Sequence, residues 1–243
     1  MKKLKDFVKL GSISEVTDNL KKLEADLNSI AEKLWVRYDL EAGARVYPGI
    51  ARSTAGQLKL LAKHIEEPIE ITANICRTVF EINVVLQFCI SSKERLESYA
   101  EQSATDEISI YKAIKKLKHD DTDPNDLALI DEHINQIRSL LEKHGKSFKP
   151  ERTALYQMAK DVGLKEEYDT MYGIYSKYVH ASAWFVLRNR DHIDLPMYRL
   201  PMQIHTQLYA SDTLNRLQEI VNQNTEQKFT DRPSPPKSGG EGG

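Results

Sequence analysis

Ile71-Thr-Ala-Asn-Ile-Cys-Arg-Thr-Val-Phe-Glu-Ile-Asn-Val-Val-Leu-Gln-Phe-Cys-Ile-Ser-Ser92 is the most apolar stretch of the chain. It approaches bilayer-spanning length, but Arg77 and Glu81 sit near its middle, with Asn74, Asn83 and Gln87 along the same run. A central arginine alone costs roughly 2.5–3.5 kcal/mol on membrane-insertion scales. The stretch therefore reads as a helix buried in a protein core, with no membrane involved. A helix apolar on nearly every side must be surrounded by other elements, so the rest of the chain has to supply them.

The flanking sequence supplies helices. Upstream, Ile13, Val16, Leu20, Leu23, Leu27, Ile30 and Leu34 recur in steps of three and four, the stripe of an amphipathic helix with nearly heptad regularity. Ser12 with Glu15 forms a capping box at its start. Gly43, Pro48 and Gly49 mark a break, after which Thr54 to Ile90 reads as helical, with Pro68 either kinking one helix or separating two. Downstream, Lys93 to Lys118 is a more polar helix. Asp123-Pro124 caps the next, which carries Leu127, Ile130, Ile134, Ile137 and Leu141 on one face and ends at Gly145. Pro150 restarts a short helix that Gly163 stops, a long aromatic helix covers Leu164 to Asn189, and a final one covers about His205 to Val221. No segment shows sustained strand alternation. The expectation is an all-α fold, a single multi-helix bundle over residues 1–223, followed by a flexible Pro/Gly-rich tail over 224–243.

Composition agrees with a globular chain of this kind. The 243 residues carry 34 Lys plus Arg against 36 Asp plus Glu, a formal net charge of -2, which argues against a dedicated nucleic-acid binder. Two cysteines exclude a disulfide scaffold and fit a reducing compartment. No apolar run of signal-peptide length follows the basic start, so a cytoplasmic location is expected. Phosphate loops, dinucleotide fingerprints, paired Cys/His units and the Glu-x-x-His pairs of di-iron bundles are all missing from the sequence, so neither a cofactor nor a metal is expected.

Two polar pairs inside apolar helices stand out. Arg77 and Glu81 are four residues apart and share a helix face. They are either a satisfied buried salt bridge or a polar site held rigidly in a bundle. In Tyr168-Asp-Thr-Met-Tyr-Gly-Ile-Tyr-Ser-Lys-Tyr-Val-His-Ala-Ser-Ala-Trp184, the residues Tyr168, Tyr172, Ser176 and His180 recur every four positions. A stack of hydroxyls leading to an imidazole could orient a ligand or relay a proton, or it could pack as ordinary core.

Arg77-Thr-Val-Phe-Glu81, Ser147-Phe-Lys…Met158-Ala-Lys-Asp-Val-Gly163 and Tyr175-Ser-Lys-Tyr-Val-His180-Ala-Ser together resemble an uncharacterised all-helical bacterial family, that of the domain of unknown function 5677, over about residues 50–184. The resemblance implies a helical fold and a polar centre built from Arg77, Glu81, Ser176 and His180. It implies no established activity.

Two functions compete. In the first, a binding or regulatory module grips a polar ligand or a partner segment with Arg77, Glu81, Tyr172, Ser176 and His180. Arg77 binds an anionic group and Glu81 orients it, and the faces of Ile13–Leu34 and Leu127–Leu141 are available for a homodimer. In the second, the chain is a metal-independent RNA-cleaving enzyme similar to the HEPN toxins and defence effectors. His180 would be its acid–base group and Arg77 its charge stabiliser, as catalytic residues converging from separate helices. The family's Arg–His spacing also occurs at Arg138…His144 and Arg199…His205.

Overall fold

The computed structural model of the chain describes residues 7–37, 45–119, 122–143, 145–146 and 153–230. Among these are ten helices and no strand: α1 (Ile13–Arg37), α2 (Val46–Lys63), α3 (Ile69–Ser91), α4 (Lys93–Lys116), α5 (Pro124–Lys143), α6 (Leu155–Asp161), α7 (Lys165–Val179), α8 (Ala183–Leu187), α9 (Arg190–Ile193) and α10 (Pro196–Thr230). The fold is an all-α bundle. Its hub is α3, which touches α2, α4, α6, α7 and α10.

The apolar stretch 71–92 occupies this hub. Ile75, Cys76, Val79, Phe80, Val84 and Leu86 are all buried. By length and composition α3 could cross a membrane, but 56% of its most apolar window is buried inside the protein. At about 1.5–3 kcal/mol for each large aliphatic side chain removed from water, this burial is what holds the bundle around α3.

The stripe on α1 behaves the same way. Val16, Leu20, Leu23, Leu27, Ile30 and Leu34 are buried, and α1 packs on α2 and α10. Only Ile13, in the first turn, is exposed. The stripe is spent within the chain and is not a free face for a second copy. The Ser12–Glu15 capping box forms, with Ser12 N donating to Glu15 Oε2 at 2.7 Å and Glu15 N to Ser12 Oγ at 3.3 Å. The bond from Ser12 N, with a second from Ser12 Oγ to the same oxygen (3.1 Å), holds the Glu15 carboxyl below its usual pKa. The start of the chain is also tied to its last helix: Lys9 N donates to Gln207 Oε1 (3.0 Å) and Gln207 Nε2 donates to the Lys9 carbonyl (3.2 Å).

Several boundaries differ from expectation, each for a local reason. α2 begins at Val46, because Pro48 and Gly49 fall in its first turn, where a missing N–H costs nothing. Pro68 separates α2 from α3 by serving as the cap of α3. The long aromatic helix divides at His180, which is extended. Ser182 Oγ both donates to the Lys177 carbonyl, closing α7, and accepts from Phe185 N, opening α8. α10 starts at Pro196, well before His205, since Pro201 still lies near its N-terminus, where few backbone bonds are at stake. It runs on to Thr230, past residue 223. Pro150 and residues 231–243 lie outside the described residues. Gly163 does stop α6, with φ at +79°, and Gly145 ends α5 with φ at +66°.

α4 and α5 form a hairpin in which α5 packs on α4. Ile134 is the buried member of the α5 stripe, with Leu127, Ile130, Ile137 and Leu141 half-buried.

Candidate functional site

α3 and α7 pack side by side and bring the two sequence pairs together. Arg77 Nε donates to Glu81 Oε1 at 2.8 Å, one helical turn along α3. Its Nη2 donates to Tyr172 Oη at 2.6 Å, and its Nη1 lies 3.2 Å from His180 Nε2. The guanidinium carbon also stands 4.3 Å above the centre of the Tyr172 ring, a cation–π arrangement. Tyr168 stacks on Tyr172 with ring centres 4.8 Å apart. Burial, the neighbouring Tyr172 hydroxyl and the Glu81 charge raise the pKa of Tyr168.

Ser176 stays apart from this cluster. Its Oγ donates to the Gly173 carbonyl of its own helix at 3.0 Å. The four-residue spacing places it on the correct face, but a short hydroxyl finds a closer acceptor in the preceding turn.

The Arg77–Glu81 pair is part-buried. The Arg77 and Glu81 side chains retain 18% and 29% of their accessibility, and His180 is exposed. The cluster opens to solvent at the end of α7, because α7 stops at His180. All three Arg77 nitrogens have partners within the protein. Glu81 keeps an oxygen, Oε2, which no donor among the described residues reaches, and it lines a solvent-open cavity of about 940 Å³ between α2, α3, α4, α5 and α6.

A second polar seam runs beneath the cluster, between α3, α7 and α10. Tyr175 Oη lies 3.1 Å from His205 Nδ1, and Tyr209 Oη donates to Glu167 Oε1 at 2.7 Å. Burial raises the Tyr175 and Tyr209 pKa values and pushes the Cys76 thiol up to about 11, while it lowers that of His205. Further along α3, Asn83 Nδ2 donates to Asp212 Oδ2 (2.9 Å) and Thr213 Oγ1 (3.1 Å), and Gln87 Nε2 donates to Asn83 Oδ1 (2.9 Å). Sequence reading assigned no role to these groups. The available signal was Asn83 and Gln87, two amides one turn apart on an apolar helix.

The Arg199…His205 spacing does not bring its two side chains together: each has other partners. Arg199 is held by both oxygens of Asp194 at 2.6 Å and donates to the Ile65 carbonyl at 2.8 Å, while His205 faces Tyr175. Arg138 is exposed on α5, and His144 lies outside the described residues. Among the described residues no group of three or more His, Cys, Asp or Glu could hold a metal ion.

Comparison with known proteins places the chain by sequence family. No curated protein and no solved structure matches it. The family of unknown function DUF5677 matches residues 58–194, more than half of the chain, and that span includes Arg77, Glu81, Tyr172 and His180. The chain therefore belongs to this family.

Proposed function

We propose that this protein is a ligand-binding module whose polar anchor is the Arg77–Glu81–Tyr172–His180 cluster. The observation that carries the reading is the position of Glu81, fixed by Arg77 on one side and bordering the 940 Å³ cavity on the other. Small-molecule sites are typically mostly apolar cavities of about 300–1,000 Å³ with a few preorganised polar groups. A carboxylate held at 2.8 Å by an arginine that is itself stacked on a tyrosine is preorganised in that sense. A cytoplasmic location is part of the same proposal, since it keeps the two buried free thiols, Cys76 and Cys89, reduced.

Native mass spectrometry of protein purified from its own host tests this reading. Wild type is expected to carry a small molecule that Arg77→Ala loses while keeping its helical circular-dichroism spectrum. Identical, ligand-free spectra for both would overturn it.

The contact between Arg77 and His180 favours a second reading, metal-independent cleavage of RNA. His180 would move the proton and Arg77 would stabilise phosphate charge. In the arrangement seen, His180 Nε2 is occupied by Arg77, so a substrate phosphate would first have to draw Arg77 away. RNA cleavage by wild type that is lost in a folded His180→Ala would establish this alternative over the first.

A further inference from the structure

The cavity bordered by Glu81 has a chemistry that narrows its ligand. Its apolar wall is built from Ile50, Ile82, Val85, Leu141, Leu155 and Met158. Among the described residues, the charged groups on it are Glu81, Glu107 and Arg45, two carboxylates against one guanidinium. Glu81 is the one held in place, with Oε1 committed to Arg77 and Oε2 without a donor among the described residues. Thr78 lies one turn before Glu81 on the same α3 wall. The guanidinium of Arg77 does not line this cavity. It lies behind Glu81, committed to Tyr172 and His180. The polar group that an ion pair fixes in place at the cavity, among the described residues, is therefore an acceptor with negative charge, set at the margin of a mostly apolar cleft.

Resting on the binding reading above, we infer that the cavity takes an amphiphilic amine, its apolar body against the α2–α6 wall and its protonated nitrogen donating to Glu81 Oε2. Ammonium supplies the donor that the free oxygen lacks, and low surrounding polarity strengthens such a charge-assisted bond. A carboxylate or phosphate head would meet Glu81 and Glu107 with like charge. A neutral alcohol would gain the hydrogen bond without the charge.

Titration calorimetry with three probes that share one chain, decylammonium, decanol and decanoate, separates these cases. Decylammonium is expected to bind at one site, about tenfold more tightly than decanol, the ratio typical of charging one hydrogen-bond partner, with decanoate weakest. Glu81→Gln should bring decylammonium down to the decanol value and leave decanol unchanged. Ala104→Trp, which fills the chamber from α4, should weaken all three probes while the melting temperature holds. Tighter binding of decanoate than of decylammonium, or a Glu81→Gln variant that keeps the preference for the amine, would overturn the inference and leave the binding reading standing. Binding of none of the probes would also overturn it, and the mass spectrum of the native protein then decides the binding reading separately.

Discussion

Arg77 Nη1 and His180 Nε2 lie 3.2 Å apart, although 103 residues separate them in the chain. A guanidinium has donors and no acceptor, so the imidazole nitrogen is the acceptor in this pair. His180 is therefore neutral there and carries its proton on Nδ1.

Nitrogen NMR of imidazole-labelled protein checks this directly. His180 should appear as the Nδ1–H tautomer, the minor form of free imidazole, and Arg77→Ala should return it to the Nε2–H form. An Nε2–H ring in wild type would contradict the geometry.

Tyr172 makes two separable contributions to the cluster. Tyr172→Phe removes the 2.6 Å bond from Arg77 and keeps the ring below the guanidinium, for an expected loss of about 1 kcal/mol in urea unfolding. Tyr172→Ala removes the ring as well and should cost more, by about 0.5–1 kcal/mol for the cation–π contact plus lost packing. Equal losses would mean the stacking contributes nothing.

Both cysteines should be inert in the folded protein. Burial pushes the Cys76 thiol up to about 11 and Cys89 up to about 12, and thiolate is the reactive form. A disulfide reagent at pH 8 should label neither in native buffer and both in denaturant. Rapid labelling without denaturant would show that α3 opens locally.

Acid should destabilise the bundle partly through His205. Burial lowers its folded pKa, with the Glu167 charge opposing. The unfolded chain then takes up a proton that the folded one resists. Stability is full above the ordinary imidazole value of about 6.5 and falls as pH drops below it. His205→Asn should flatten the melting temperature between pH 7 and pH 5 relative to wild type. An unchanged slope would assign the acid sensitivity elsewhere.

Asn83 holds the α3–α10 seam from inside the core. Asn83→Leu should cost about 2–3 kcal/mol, because it strands the Gln87 amide and removes donors to Asp212 and Thr213. Calorimetry of the variant against wild type measures the loss.

Much of this architecture can be read from apolar spacing. The α1 stripe marks its buried residues correctly after the first turn, and the apolar run of α3 marks the hub. Arg77, Glu81, Tyr172 and His180 stand out because charge and hydroxyls are rare on such helices. What spacing does not convey is how a short side chain resolves a local choice. Ser176 turns to its own backbone, and Ser182 cuts one helix into two, because a hydroxyl takes the nearest free carbonyl or N–H. Spacing also leaves open whether solvent reaches the Arg77–Glu81 pair. Where α7 ends decides how much water reaches the pair, and that end depends on Ser182. The partners of Asn83 and Tyr175 lie on α10, which the periodicity of α3 or α7 alone does not bring into view.

The side-chain amide of Gln207 grips both backbone groups of Lys9 across 198 positions. During synthesis that clasp closes only after α10 has left the ribosome. α1 and α2 can pair early, but the part of the α1 stripe that rests on α10 stays uncovered until then. A nascent chain halted before α10 would present an aliphatic ridge to chaperones and proteases, so the emergence of α10 is the event that seals the core.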